Sequence, residues 1–432
     1  MMTNNNKPKA GRIDFISGVP ETLFKKVNGK CSVPRCKNPT VGPFYETDGA
    51  VNMGTACHIY SAAKNGPRGR GGKSEEFISS EKNGIWCCSY HGFLIDKKKG
   101  VDYPAENLFA WKALAEARIL KLMNDIPSPL GWVESIEFLK FPVLDIVPKT
   151  KLSRRTLLWS KEHNGKTSLY EVAASITRSK YAERFCRTKK KNQSGSYDDI
   201  CFKARIIYST VDAYSKEVDI EITGNQITRK ENEQVCLLPP GDVEVIYCSE
   251  QDVRQNDNED DIDFMMRVLN VDKVTLFVLA KIGTSSLMPG KLKFEMASDY
   301  LDDDSEILEP VYKENGEPYF TLWFKGDEKE NFLSFGSLCG TEQSSLILEL
   351  LITKAREIAK QRLTLLLIDS HLSSFDPFNF KTLLTNLEKE EFQVVVTLPS
   401  VIGGYILESS LNNPKLRALD YLNSWQLSEI GS

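Results

Sequence analysis

Four residues near the beginning of the chain restrict its fold more than any other feature of the sequence. Cys31 and Cys36 form one short pair, Cys88 and His91 form a second, and residues 37–87 separate the two pairs. A tetrahedral zinc site takes four nitrogen or sulfur ligands, and two short pairs of this kind provide them. The spacing therefore predicts that this part of the chain closes around one structural Zn²⁺.

The distribution of cysteines favours the same site. The chain has ten cysteines, of which five stand at positions 31, 36, 57, 87 and 88, while the others are scattered singly. In the cytoplasm thiols stay reduced, so the cysteines must serve as metal ligands or as buried apolar groups. Their clustering indicates a metal site within the first hundred residues.

The composition is that of a soluble globular protein, with 41% hydrophobic and 26% charged residues. The N-terminus reads MMTNNNKPKAGR and lacks the apolar region of a secretory signal. We find no apolar run of about 18 residues, so we expect no membrane span and a cytoplasmic location. The net charge of −4 gives no global attraction to nucleic acid, although local basic segments remain.

The 432 residues are enough for two or three domains. Residues 1–12 are predicted to be a disordered basic tail, because they contain almost nothing to bury. A first domain is predicted over residues 13–125 and a Pro/Gly linker over residues 126–132. The remaining residues 133–432 mix strand-like and helical runs and are predicted to form one further domain.

Three polar residues accompany the cysteine pairs. His58 ends a short apolar run in TACHIYSA, Asn83 stands five residues before Cys88, and Asp96 stands five residues after His91. The chain has only four histidines, and two of them lie in this segment. The segment therefore contains polar side chains beyond the four ligands that a zinc site requires.

The motifs ACHI, NGPRGRGG and NGIWCCSYHGFLID, followed by YPAENLFAWK, resemble the HNH endonucleases that carry His-Ile and Asn-Gly-Ile segments. The resemblance covers about residues 25–115. It implies a zinc-stapled ββα-metal domain, in which a β-hairpin carries the histidine and a helix carries a second metal ligand. It also implies cleavage of DNA, with RNA as an alternative substrate.

The resemblance assigns roles to the three polar residues. His58 would be the general base, since imidazole titrates near neutral pH, and Asn83 would orient it or hold the hairpin. Asp96 would bind a catalytic Mg²⁺ or another divalent cation. Cys57 and Gly92 replace residues that are often metal ligands in the family, so the ion would keep several water ligands.

Two alternatives apply to this first domain. It is either a nuclease or a zinc-containing module that docks DNA or protein without cutting. The basic loop GPRGRGGK at 66–73 is either a phosphate contact or an ordinary flexible loop. The sequence does not decide between the two interpretations of this loop.

The second domain contains the order of elements that is typical of a P-loop. Residues 156–176 read TLLWSKEHNGKTSLYEVAASI, an apolar strand, a polar loop, Gly-Lys-Thr and a helix. The expected nucleotide ligands are Ser160, Asn164, Gly165, Lys166 and Thr167. Ser160 stands where the first glycine of the motif is expected. Farther along, LLLID presents Asp369 after a buried strand, as a magnesium-binding carboxylate.

Several motifs of the second domain resemble an ABC-type ATPase of the RecF/SMC kind. FGSLCGTEQ at 335–343 resembles the ABC signature, SSFD at 373–376 the D-loop, and FQVVVTLPS at 392–400 the switch strand. The resemblance implies an α/β P-loop fold and a homodimer in which ATP lies between one P-loop and the partner's signature. Cys339 and Gly340 would be the signature ligands.

The departures from this family concern hydrolysis. Ser370 stands in place of the catalytic glutamate and Leu398 in place of the switch histidine. Neither side chain polarises an attacking water. The expectation is ATP binding with little or no turnover.

The combination of the two domains resembles antiphage systems of the Septu type. The predicted function is that of a metal-dependent HNH endonuclease that acts as a defence effector and is controlled by nucleotide binding and dimerisation, with or without a separate ATPase or sensor subunit. One alternative is an HNH effector whose C-terminal half senses a cyclic oligonucleotide. Another is a non-enzymatic, zinc-containing DNA-binding regulator.

Overall fold

The computed structural model describes residues 11–44, 47–123, 131–141, 149–160, 165–191, 194–199, 201–300, 308–373, 375–408 and 414–430. Within them the α-helices are α1 (Val19–Lys26), α2 (Glu75–Ser79), α3 (Ser89–Leu94), α4 (Ala105–Leu122), α5 (Lys166–Ser175), α6 (Glu183–Cys186), α7 (Asp261–Leu269), α8 (Lys273–Ile282), α9 (Gly340–Ala359), α10 (Pro377–Leu387) and α11 (Ser400–Ile406).

The strands of the first half are β1 (Val41–Pro43), β2 (Ala50–Asn52), β3 (Gly54–His58), β4 (Gly84–Cys88), β5 (Gly131–Lys140), β6 (Lys149–Lys151), β7 (Arg155–Trp159), β8 (Lys189–Lys191), β9 (Tyr197–Asp199), β10 (Cys201–Thr210) and β11 (Lys216–Thr223). The strands of the second half are β12 (Gln226–Glu231), β13 (Gln234–Val235), β14 (Val243–Tyr247), β15 (Gly290–Met296), β16 (Ser298–Tyr300), β17 (Leu308–Pro310), β18 (Phe320–Gly326), β19 (Leu333–Ser334), β20 (Leu363–Ile368), β21 (Gln393–Thr397), β22 (Leu407–Glu408), β23 (Lys415–Leu416) and β24 (Gln426–Glu429).

The N-terminal module is a β-hairpin followed directly by a helix. Strands β3 and β4 pair antiparallel, with Gly54 opposite Cys88 and His58 opposite Gly84, and α3 begins one residue after β4. Helix α4 covers the hairpin with an apolar face whose buried residues, Leu108, Trp111 and Leu114, recur at three-residue steps. This face packs into a core that contains the β4 residue Ile85.

The structure differs from the predicted boundaries at two places. Gly131 and Trp132, predicted as the end of the linker, are the first residues of β5 and pair with Thr210 and Ser209 of β10. Trp132 is 3% exposed and belongs to the core of the N-terminal module, because its large apolar ring is buried there. Arg12, predicted within the tail, forms a β-bridge with Ala63. Residues 1–10 and 124–130 lie outside the described part of the chain.

A five-stranded parallel sheet forms the centre of the second half, in the order β14-β20-β21-β7-β24. All six residues of β20 are buried, as expected of a parallel strand covered on both faces. Leu366 and Ile368 face the core that contains residues of α7, α9 and α10, whereas Leu365 and Leu367 face α5. The α/β architecture predicted for this half is confirmed.

A six-stranded antiparallel sheet covers the α5 side of the parallel sheet, in the order β13-β12-β11-β10-β5-β6. Its inward residues, among them Ile136, Ile206 and Ile220, share one core with Leu169 of α5 and Leu365 of β20. The two sheets and α5 are therefore one packed unit.

Polar contacts join the N-terminal module to this unit. The buried guanidinium of Arg155 on β7 pairs with Glu106 on α4 at 2.9 Å. Arg118, also on α4, donates to the carbonyl oxygen of Thr210 at 3.0 Å. In the described ranges, no helix has the length and apolar character that a membrane crossing requires.

Candidate functional site

The four predicted zinc ligands lie together. The ligand atoms of Cys31, Cys36, Cys88 and His91 are all within 4.8 Å of one another. Cys88 ends β4 and His91 lies in the short helix α3 that follows it. The first pair is brought to them because the backbone N–H of Ser32 donates to the carbonyl oxygen of Trp86 on β4 at 2.9 Å.

The donor set fits a tetrahedral zinc ion. The Nδ1 atom of His91 is 3.6 Å from the Sγ of Cys31 and 3.2 Å from the Sγ of Cys88. Ligands at about 2.0 to 2.3 Å from a tetrahedral Zn²⁺ are separated by about 3.5 Å. Hydrogen bonding with the thiol of Cys87 lowers the pKa of Cys31 to about 5, whereas burial raises the pKa of Cys36 to about 12.

His58 ends β3 and is covered by the N-terminal segment. The ring of Phe15 stacks on the imidazole, with centroids 3.7 Å apart and planes 8° apart. The Nε2 atom of His58 is buried and has no hydrogen-bond partner among the described residues. Burial, helped by the charge of Arg12, lowers the pKa of His58 to about 4. The imidazole is consequently neutral at physiological pH, the form in which it accepts a proton.

Asn83 holds the hairpin. Within the described residues its side chain bonds to Tyr60 and Ile78, and not to the imidazole of His58. Its Oδ1 accepts from the backbone N–H of Tyr60 at 2.8 Å, and its Nδ2 donates to the carbonyl oxygens of Tyr60 at 2.9 Å and Ile78 at 3.1 Å. Because Asn83 is fully buried, these bonds position the chain just after His58. Of its two predicted roles, the geometry favours holding the hairpin.

Asp96 is paired with Arg68. The guanidinium of Arg68 donates to the carboxylate at 2.6 Å and to the backbone carbonyl oxygens of His58 at 3.2 Å, Ile59 at 2.6 Å and Ile95 at 2.6 Å. The Arg68 side chain is 5% exposed, so this residue of the GPRGRGGK loop is a buried clamp. It joins the end of β3 to the residues that follow α3.

The predicted magnesium position at Asp96 fits less well. Across the described ranges, the zinc ligands are the only group in which three or more His, Cys, Asp or Glu side chains lie close enough to hold a metal. The thiol of Cys57 is buried, and a side chain at Gly92 would come within about 3.1 Å of its sulfur. Asp96 is thus a single carboxylate whose charge is already paired with the guanidinium of Arg68.

The predicted phosphate ligands meet at the carboxyl edge of the parallel sheet. Helix α5 begins at Lys166, directly after Gly165, whose φ of 82° is left-handed. The Lys166 ammonium donates to the Ser160 carbonyl oxygen at 3.1 Å and lies at the same distance from its hydroxyl. Asn164, the remaining predicted ligand, lies outside the described residues.

Asp369 is buried at this edge, and its carboxylate accepts hydrogen bonds from three residues. Its carboxylate accepts from the Thr167 hydroxyl at 2.9 Å, from the Thr397 hydroxyl at 3.2 Å and from the Ser370 backbone N–H at 2.7 Å. Strand β21, which ends in Thr397, lies between β7, which precedes the predicted P-loop, and β20, which precedes Asp369. A threonine hydroxyl against a buried aspartate is the arrangement that binds Mg²⁺ in P-loop proteins.

The signature residues begin the long helix α9. Cys339 is its N-cap, and the Cys339 backbone N–H donates to Glu342 at 2.9 Å. Helix α9 leads through a short loop into β20, so its N-terminus lies toward the edge that carries Asp369. Its 20 residues span about 30 Å, whereas the six residues of β20 span about 20 Å. Cys339 and Gly340 are exposed there.

Three contributors were not predicted from the sequence. Phe15 lies in no motif that would predict its stacking on the imidazole of His58. Thr397 stands beside the predicted switch position, Leu398, and no spacing in the sequence marks its hydroxyl as a partner of Asp369. Arg68 lies in a loop for which a phosphate contact and a flexible loop were equally plausible, and only its burial reveals the clamp.

No family model and no curated protein matches the sequence. Among solved structures, the chain is similar to an SMC head bound to the C-terminal winged-helix domain of ScpA, with a TM-score of 0.41, 11% identity and coverage of 67% of this chain and 97% of that one. It is similar to ATP-bound RecF of the RecFOR pathway (TM-score 0.39, 15% identity, 63% and 94% coverage).

A third similar structure is an SMC head with an extended coiled coil from Pyrococcus furiosus, with a TM-score of 0.40, 10% identity and coverage of 70% of this chain and 96% of that one. Because these TM-scores and identities are low, the assignment of a P-loop to the second half depends on its own strand order and on the contact between Thr167 and Asp369.

Proposed function

We propose that the protein is a nucleotide-regulated nuclease. In this proposal the N-terminal module hydrolyses phosphodiester bonds of DNA, and the second half is an ATP-binding switch that dimerises and turns over little or no ATP. The zinc ion staples the module, and the proposed biological role is that of an antiphage effector, alone or with a separate ATPase or sensor subunit.

The observation that carries the proposal is the placement of His58. The residue ends the first strand of a hairpin that leads directly into a helix, and Arg68 and Asn83 fix the backbone at His58 and just after it. Such immobilisation of one imidazole is expected of a positioned general base. A purely structural zinc site would not require a fixed imidazole at this position, because His58 is not among the zinc ligands.

The chemistry assigned to this chain is proton transfer. Neutral His58 takes a proton from a water molecule, whose oxygen attacks the phosphorus atom as the bond to the leaving oxygen breaks. A divalent cation, when bound, would neutralise charge on the phosphate. Phe15 must move aside first, because it covers the ring in this structure.

The nucleotide switch is proposed from Lys166, Thr167 and Asp369, which lie where phosphate and magnesium ligands are needed. Ser370 cannot act as a general base in the way a glutamate does. ATP held between two copies would therefore persist and keep two N-terminal modules together, which suits cleavage of both strands of a duplex.

A plasmid assay tests the proposal. Supercoiled DNA is incubated with the protein and Mg²⁺ or Mn²⁺, with and without ATP or a non-hydrolysable analogue, and ATP turnover is followed in parallel. We expect nicking by the wild type and a loss of about a hundredfold or more in His58→Ala. Thr55→Ala, an exposed position on the same strand, is the control. Cleavage that persists in His58→Ala would remove the nuclease assignment.

One observation favours a second function, a zinc-containing module that binds nucleic acid without cutting it. Asp96 is engaged by Arg68, and no further metal ligands surround it in the described part of the chain. Retention of duplex DNA or RNA in a mobility-shift assay, together with absent cleavage under every metal condition, would select this function.

A further inference from the structure

A cavity of about 360 Å³ lies at the junction of the two halves. The N-terminal module lines it with residues that include Val33 and His91, and the antiparallel sheet lines it with Trp132 and Lys151. No lining residue belongs to the P-loop or to the strand of Asp369. The volume is within the range of small-molecule sites, near its lower end.

Two polar atoms of this cavity lack partners. The Oδ1 atom of Asn107 and the Nε1 atom of Trp111 are buried, and within the described part of the chain neither has a hydrogen-bond partner. The two residues stand one turn apart on α4, and Trp111 is 8% exposed. Buried polar groups are rarely left unpaired, because each unmade bond costs about 1 to 3 kcal/mol. An acceptor and a donor on residues one helical turn apart suit a ligand edge that offers both complements.

The walls and the rim add two further properties. Tyr103 meets Trp111 edge-on, with ring centroids 5.8 Å apart, and Trp132 is a third aromatic wall. Aromatic walls of this kind favour planar rings. Lys149 and Lys151 of the lining are exposed cations on the edge strand β6, where they suit an anionic group.

Several charged residues of the rim form ion pairs. Arg35 pairs with Glu134, Lys149 pairs with Glu137, and Asp102 pairs with Lys98 at 3.2 Å. Among the lining residues, Arg35, Lys149 and Lys151 outnumber the carboxylates of Asp102 and Glu134. When Glu137, the partner of Lys149, is counted with them, these charges balance. Lys151 is the lining cation for which the described residues show no ion pair, so it is the group available to an anionic ligand.

We infer that this cavity binds a mononucleotide, either free or as the terminal nucleotide of a strand. The base lies against Trp111 or Trp132, with its hydrogen-bonding edge on Asn107 and Trp111, and the phosphate reaches Lys149 and Lys151. This site is separate from the P-loop and does not depend on the nuclease assignment. Because both halves line it, an occupant would strengthen their junction.

The test uses the full chain in the Lys166→Ala background, which removes the contribution of the P-loop. AMP, GMP, CMP and UMP are titrated separately by calorimetry, next to the corresponding nucleosides and to short 5′-phosphorylated oligonucleotides. We expect saturable binding of at least one monophosphate, and binding about tenfold weaker in Trp111→Phe, which keeps the ring and removes the N–H. Preference for the oligonucleotide over the monophosphate identifies a strand end as the source.

Two further variants keep the inference testable if Trp111→Phe folds poorly. Asn107→Leu removes the acceptor, and Lys151→Glu changes only the exposed rim; each is expected to weaken binding of the monophosphate about tenfold, and Lys151→Glu is expected to spare the nucleoside. Trp323→Phe, in the separate sheet of β18, is the control. Absence of binding by all four monophosphates at millimolar concentration, or binding that none of the three variants weakens, overturns the inference.

Discussion

The ring of Phe15 lies flat on the imidazole of His58, so the proposed general base is closed off by a segment that precedes it in the chain. The segment is attached by backbone hydrogen bonds of Ile13 to Ala62 and of Ile16 to Ser79, each 3.0 Å long. The base and its cover are thus two parts of one folded module. Because the Nε2 atom is itself buried, a substrate reaches it only after residues that cover it move.

Removing the cover should expose the imidazole. In Phe15→Ala the pKa of His58 is expected to rise from about 4 toward the ordinary value of about 6.5, because burial is the main cause of the low value. The titration of the His58 ring protons by NMR measures this shift. Phe44→Ala, an exposed aromatic in the same half of the chain, is the control. An unchanged His58 pKa in Phe15→Ala would show that Phe15 does not shield the base.

The same pKa predicts how stability depends on pH. The folded-state pKa of His58 is lowered to about 4 from 6.5, so the unfolded chain binds the proton more readily between these values. The His58 contribution is therefore neutral above about pH 6.5 and increasingly destabilising as the pH falls toward 4. Urea denaturation at several pH values should show a shallower decline in this window for His58→Gln, and equal declines would contradict the prediction.

Zinc binding should require the four clustered ligands and no other cysteine of the module. Cys88→Ser is expected to lose the metal and to unfold the N-terminal module, because structural zinc supplies folding free energy. Cys57→Ser is a matched control, since Cys57 is equally buried and lies outside the ligand group. Metal content by mass spectrometry and thermal unfolding provide the readouts. Equal zinc content in both variants would refute the assigned ligand set.

Arg68 should be one of the most important side chains for the stability of the module. Its guanidinium is buried and joins three backbone carbonyl oxygens to Asp96, so Arg68→Ala is expected to lower the free energy of unfolding by about 3 kcal/mol. Lys64→Ala, exposed in the same region, should change it by less than about 0.5 kcal/mol. Chemical denaturation distinguishes the two, and similar effects of both variants would argue against the clamp.

Nucleotide-dependent dimerisation should require the exposed start of α9. In Gly340→Asp a carboxylate would face the phosphates of a nucleotide bound to a second copy, and repulsion would prevent association. Light scattering with and without ATP and Mg²⁺ is expected to show ATP-dependent dimers for the wild type and monomers for this variant. Gly241→Asp, at an exposed position where an added side chain meets no other atom, controls for the added charge. ATP-dependent dimers of Gly340→Asp would contradict a role of the signature residues.

Local patterns in the sequence were sufficient for several features. The near-continuous apolar run of β20 indicated a buried strand that ends at Asp369, since no polar residue alternates along it except Thr364. The short spacings of Cys31 with Cys36 and of Cys88 with His91 indicated two ligand pairs. These features depend on residues that are neighbours along the chain, and their spacing is visible without a structure.

The tertiary structure decided the features that depend on distant residues. Arg68 is a clamp and not a phosphate contact because packing buries its side chain against Asp96 and the end of β3. Phe15 covers His58, and Trp132 enters the core of the N-terminal module instead of a linker. The unpaired Asn107 and Trp111 atoms become a candidate site only because the antiparallel sheet closes a cavity over them. Side-chain burial and partners across the fold arise from the packing of whole elements, which no local pattern encodes.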